Sequence, residues 1–120
     1  IRIMLQMDDI DAEIKNGLLV CLSICAADGL ISTEEEEVLE ASFMENFGLP
    51  KLKFQEITDF FFADKDQFEN YLDGVFQKEL KTKFIDLSKK AAEIDGLDIK
   101  ENVAWEKCRS RWGDSIVSNS

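Results

Sequence analysis

The chain has 120 residues, 45% of them hydrophobic and 32% charged, which suits one folded domain with a real core. Twenty-five acids against 14 bases leave a net charge of −11, and histidine is absent. Ser-His-Asp and Cys-His catalysis, histidine-ligated zinc and imidazole acid–base chemistry are thereby excluded, and the acidity argues against nucleic acid or an anionic membrane as partner.

Helical periodicity runs through the chain. Ile10, Ile14, Leu18, Cys21 and Cys25 recur at steps of three and four, one stripe of a first helix. Val20, Leu22 and Ile24 add apolar groups off that stripe, so this helix is expected to be buried on most sides. Cys21 and Cys25 read as buried thiols, and with Cys108 they are too few and too odd in number for a disulfide framework. That usage points to a reduced, cytoplasmic setting. The apolar run 17–27 is too short for the roughly 30 Å hydrocarbon core of a bilayer, so membrane insertion is not expected. No leader pattern opens the chain, and its start at Ile1 suggests a segment of a longer protein.

Ser32 with Glu35 forms a capping box ahead of a second helix whose inner face is Val38, Leu39, Phe43 and Phe47; Gly48 and Pro50 stop it. Phe54, Ile57 and Phe61 mark a third helix over 52–62, and two rings of the triplet Phe60-Phe61-Phe62 are expected to pack inward. Asp66 and Glu69 make another box, with Phe68, Leu72, Val75 and Phe76 behind it at helical spacing. Leu80, Phe84, Leu87, Ala91 and Ile94 form the most regular stripe; Lys78, Lys81, Lys83, Lys89 and Lys90 are its wet face. A break near Gln77 is left open. Asp98 and Glu101 form a third box and open a final helix carrying Val103, Trp105, Cys108 and Trp112, ended by Gly113 before a polar tail, 114–120. The expected fold is all-α, a single domain over 1–120 with about five to seven helices.

Two segments share a pattern. Asp28-Gly29-Leu30-Ile31-Ser32-Thr33-Glu34 matches Asp95-Gly96-Leu97-Asp98-Ile99-Lys100-Glu101 as D-G-L-x-x-x-E, 67 residues apart. Each copy follows a small-residue helix end and precedes a capped helix, so the chain reads as two helix–DG loop–helix units. Aligned on Asp-Gly, Glu34 pairs with Glu101; aligned on the caps, Glu35 does. An Asp before a Gly turn and a carboxylate in the next helical turn gather oxygens suited to a hard cation, calcium or magnesium ahead of zinc. The electropositive helix N-terminus works against such a cation. This is not an EF-hand: loop positions one and three would be Ile24 and Ala26 in the first copy, and Asn102 would hold position twelve in the second. Asp-Gly as a turn and Ser/Asp-x-x-Glu as a cap also connect two helices with no ligand at all.

The segment Ala26-Ala27-Asp28-Gly29-Leu30-Ile31-Ser32-x-x-Glu35, answered by Ala92-Glu93-Ile94-Asp95-Gly96-Leu97-Asp98, resembles the TerB-like tellurite-resistance domain over about residues 10 to 112. The resemblance implies internally duplicated helices with an acidic, metal-binding surface, in bacterial stress or phage-defence systems. Asp28, Glu35, Asp95 and Glu101 match the family's acidic motif. The second glutamate sits one residue closer to its Asp-Gly, a departure from an equivalent second site.

The expected function is a non-enzymatic module for a divalent cation or a protein partner. The candidate ligands are Asp28, Glu34, Glu35, Asp95, Asp98 and Glu101. The charge is lopsided, −9 over residues 1–50 and −2 over 51–120. The run Glu34 to Glu37, with Asp8, Asp9, Asp11 and Glu13, offers a docking patch for a basic protein, and a metal-free acidic interaction domain is the first alternative. A carboxylate-based, metal-dependent hydrolase is weaker, since no nucleophile, phosphate loop or cofactor fingerprint is present. Trp105 and Trp112 beside Arg109 and Arg111 read as a packed final helix before a recognition surface.

Overall fold

In the computed structural model, residues 2–29, 31–64, 67–95 and 99–113 are described, without the side chains of 2–11, Asp28 and Asp95. They form six helices and no strand: α1 (Arg2–Cys25), α2 (Thr33–Phe47), α3 (Lys51–Ala63), α4 (Phe68–Asp73), α5 (Lys78–Ala92) and α6 (Ile99–Arg111). A 3₁₀ turn follows α1 (Ala26–Asp28) and another follows α5 (Glu93–Asp95), each ending on the aspartate of an Asp-Gly pair. The all-α expectation holds, and among the described residues no helix is long and apolar enough to cross a membrane. The expected polar tail, 114–120, lies outside the described residues.

α1 is the central element. Leu18 to Leu22, Ile24 and Cys25 are almost fully buried, because α5, α4, α3 and α6 all pack on this one helix. α2 stops where Gly48 adopts φ 68°, its N–H donating to the Met44 carbonyl, and Pro50 then serves as N-cap of α3. A break separates α4 from α5 over residues 74–77. The helix start expected at the Asp66–Glu69 box falls one residue on: Gln67 is the N-cap of α4, and Glu69 turns outward to Lys107 and Arg111. Asp66 itself lies outside the described residues.

The duplication is visible in three dimensions. Leu18, Cys21, Ile24 and Cys25 of α1 are buried, and so are Ile85, Ser88, Ala91 and Ala92 of α5, each 67 residues on. Glu35, Leu39 and Ser42 of α2 are buried, and so are Glu101, Trp105 and Cys108 of α6, each 66 residues on. The packing is reciprocal: α1 lies on α5, α1 meets α6 as α2 meets α5, and each 3₁₀ turn rests on the second helix of the other unit. This is a pseudo-two-fold pair of helix–turn–helix units, with α3 and α4 added on the α1 side.

Four apolar expectations are corrected by this packing. Only Phe61 of the triplet is buried; Phe60 and Phe62 are about half exposed, since successive helical residues point roughly 100° apart and α1 covers one side. Phe76 is exposed because it lies in the α4–α5 connection, where only Val75 turns inward. Ile94 lies past the end of α5 and is half exposed. Val103 is exposed because the buried face of α6 is centred on Glu101, Trp105 and Cys108.

Candidate functional site

The first Asp-Gly turn is closed by backbone chemistry. Gly29 sits at φ 102°, a left-handed geometry that a side chain would strain, and its N–H donates to the Ala26 carbonyl at 2.8 Å. Three residues on, Ser32 caps α2. The Glu35 N–H donates to Ser32 Oγ at 3.0 Å, and the Ser32 N–H donates to Glu35 Oε1 at 2.9 Å. This reciprocal box uses Glu35 as an internal fastening, only 3% exposed. Glu34 is exposed on the same turn.

The second unit repeats the placement. Glu101 is the third residue of α6, as Glu35 is of α2, and is also only 3% exposed. The cap register therefore relates the two units, Glu35 to Glu101, and the second loop is one residue shorter. Asp28 and Asp95 close the two 3₁₀ turns by their backbone; their side chains, and Asp98 entirely, lie outside the described residues. The turn ending at Asp28 packs on α6, which bears Glu101, and the turn ending at Asp95 packs on α2, which bears Glu35.

For a metal, the chemistry of the described donors is unfavourable. Glu35 spends an oxygen on the Ser32 N–H, Glu101 is buried at a helix start, and Glu34 faces solvent. No cluster of three or more Cys, Asp or Glu able to hold an ion occurs among the described residues.

The outer face of α2 is the strongest charged surface described. Glu34, Glu37 and Glu45 are exposed and Glu36 and Glu40 partly so, and none pairs with a base among the described residues. Glu13 does not join it. Its Oε1 accepts the N–H groups of Phe76 at 2.9 Å and Gln77 at 3.1 Å, and its Oε2 accepts the Gln77 side-chain amide at 3.2 Å. Burial pushes the Glu13 carboxyl up, but the Phe76 and Gln77 donors and the Lys81 charge outweigh it and leave its pKa lowered. Glu13 thus fastens the start of α5, whose own N-cap residue, Gln77, makes no side-chain cap. The side chains of Asp8, Asp9 and Asp11 lie outside the described residues.

Two hollows open beside this framework. One of about 180 Å³ lies where Ile14 and Ile57 meet the α2–α3 turn at Gly48 and Pro50. The other, about 340 Å³, is lined by Ala26, Ala27 and Gly29 of the first turn, Phe61, Phe68 and Ala104. Sequence periodicity gave no signal for either, since both form between elements distant in the chain.

The remaining candidates are structural. Trp105 donates its Nε1–H to the Ile85 carbonyl and Trp112 to the Leu72 carbonyl, both at 3.0 Å, and both rings are buried. Arg111 is spent on Glu69 at 3.2 Å and Asp73 at 2.7 Å. None of the three cysteines is in a disulfide and all are buried; burial pushes the Cys108 thiol up to about 12 and Cys21 well above its ordinary value. Such thiols stay protonated and inert at neutral pH.

Compared with known proteins, the chain matches no family model, no curated protein and no solved structure.

Proposed function

We propose that this chain is a non-enzymatic, TerB-like helical module that works by protein interaction, docking a basic partner along the outer face of α2. The observation that carries the reading is the uncompensated charge of that helix. α2 holds six acids and no base. Glu34 and Glu36 in its first turn ease the helix dipole, but Glu37 and Glu40 lie beyond it, and Glu45 sits in the last turn, where the dipole disfavours an acid. Like charges at spacings of three and four, such as Glu34 with Glu37 and Glu36 with Glu40, each cost a few tenths of a kcal/mol. A cationic partner removes that cost on binding.

The second reading is a divalent cation, favoured by the repeated placement of each Asp-Gly turn on the helix that bears the other unit's glutamate. Asp28 and Asp95 would then supply the oxygens, calcium or magnesium ahead of zinc by donor type. The cellular setting that the TerB resemblance implies, cytoplasmic stress or phage defence, is part of this proposal, and a carboxylate hydrolase is its weakest variant.

One set of titrations separates these. A labelled lysine-rich peptide is titrated into the wild-type domain, into Glu34→Lys/Glu37→Lys, and into Glu56→Lys/Asp59→Lys, which has the same net charge but altered α3. Calcium, magnesium, manganese and zinc are titrated calorimetrically into wild type, Asp28→Asn and Asp95→Asn. Peptide binding lost only in the α2 variant supports the docking face. Saturable cation heat lost in the asparagine variants supports the metal. Equal losses from α2 and α3 reversal, with no cation heat, overturn both.

A further inference from the structure

The hollow at the α2–α3 turn has an apolar floor. Ile14, Leu49 and Ile57 are buried in it, Phe47 is partly exposed, and Pro50 and Lys53 complete the lining from the solvent side. Its volume is about 180 Å³. A cavity of about 150 Å³ accommodates benzene, so one aromatic or branched side chain fits here.

Phe47 joins this hollow to the surface of α2. Glu36, Glu40, Met44 and Phe47 follow one another at steps of four, four and three, which places them in one row, and Glu37 lies on the same side one turn before Glu40. Met44 is 49% exposed, a flexible thioether between the acids and the hollow. The row is therefore acidic at its start and apolar at its end. The Lys83 ammonium lies 5.8 Å from the centre of the Phe47 ring, and Lys53 stands at the hollow itself. A cation is opposed at that end and favoured at the other.

We infer that the row and the hollow together take an amphipathic helix of a basic partner, one aromatic or branched side chain seated in the hollow and lysine or arginine about two and three turns away on the same face. This rests on the reading of α2 as a docking face and adds to it an anchor and a register. Charge complementarity argues for that occupant: an acidic helix would be repelled along the row, and a uniformly basic one would set a cation against Lys53 and Lys83. A helix laid along α2 has the same rise per residue. Bases seven and eleven residues from the anchor, about 10 and 16 Å along the axis, then meet Glu40 and Glu36.

Fluorescence anisotropy tests this with a dye-labelled, alanine-based helical peptide that carries one phenylalanine and lysines about two and three turns from it. It is made in both chain directions, and again with alanine in place of phenylalanine. The whole chain is titrated as wild type, Lys53→Trp, Lys51→Trp and Glu37→Lys/Glu40→Lys, with circular dichroism confirming each fold. Lys53→Trp covers the hollow and also removes a base, so charge alone predicts tighter binding and occlusion predicts weaker. The phenylalanine peptide, in one direction, is expected to bind wild type roughly tenfold more tightly than its alanine version. That advantage should vanish in Lys53→Trp and persist in Lys51→Trp, which makes the same change of charge outside the hollow. Binding abolished by the α2 reversal but indifferent to both the phenylalanine and Lys53→Trp overturns the anchor and leaves the α2 reading standing. Binding indifferent to the α2 reversal, or no binding of any peptide, overturns that reading and this inference with it.

Discussion

Gly17 and Phe84 are equivalent positions of the two pseudo-symmetric units, 67 residues apart, and they pack directly on one another. At a two-fold axis a position meets its own mate, so this contact marks where the axis crosses α1 and α5. The ring fills the space a side chain at 17 would need, and it stacks at 5.7 Å on Phe43 and tilts at 5.3 Å against Phe47. One glycine therefore sets how closely the central helix pair approaches and joins it to α2.

Gly17→Ala is expected to destabilise the fold despite the better helix propensity of alanine. The new methyl overlaps the Phe84 ring, and overpacking of this kind costs about 1–3 kcal/mol, more than the roughly 1 kcal/mol that replacing a mid-helix glycine returns. Urea unfolding should show a lowered midpoint at constant slope, partly restored by Phe84→Leu in the same chain. An unchanged or raised midpoint would mean that α1 and α5 separate freely at this point.

The two acids of the first α2 turn should behave oppositely. Glu35 holds the Ser32 N–H and is buried, so Glu35→Ala is expected to cost about 1–2 kcal/mol. Ser32→Ala should cost about 1 kcal/mol by removing the other half of the box. Glu34→Ala is exposed and should fall within about 0.5 kcal/mol of wild type. Thermal unfolding of the three variants checks the order; equal losses from Glu34 and Glu35 would contradict the cap register.

Glu13 gives the acid limb of stability a definite sign. Its pKa is lowered in the folded chain, so its contribution is present above the ordinary carboxyl range and is lost as pH falls through the lowered value. Glu13→Gln keeps an acceptor for the Phe76 N–H but carries no charge. Stability measured against pH should therefore be lower in the variant near neutrality and converge with wild type in acid. Parallel curves through the acid range would show that Glu13 does not link protonation to folding.

Much of the architecture was legible because it rests on local signals. The Ser32–Glu35 box, the stop at Gly48 and the Asp-Gly repeat each lie within a few residues of what they control. The register of the repeat was not legible: Glu34 and Glu35 both match Glu101 in sequence, and only the helix starts at Thr33 and Ile99 decide between them. In the sequence Glu13 reads as part of an acidic patch, because its partners lie 63 and 64 residues away, at a helix start with no cap of its own. Gly17 carries no signal in the sequence for the same reason, since a glycine inside a helix shows its purpose only once the opposing Phe84 ring is in place.

The triplet Phe60-Phe61-Phe62 tests how far burial, rather than residue type, governs this fold. All three rings belong to α3, yet only Phe61 is enclosed, at 1% exposure, while Phe60 lies under the Lys15 ammonium at 4.3 Å and Phe62 meets the edge of Phe61 at 5.3 Å. Phe61→Ala opens a cavity against α1 and is expected to cost about 3–5 kcal/mol. Phe60→Ala forfeits half-exposed area and an exposed cation–π contact, about 1 kcal/mol or less. Phe62→Ala should fall between them, because it removes an edge contact from the buried ring. Chemical denaturation of the three single variants gives the order directly, and a Phe60→Ala loss equal to that of Phe61→Ala would mean that α3 presents a different face to the core.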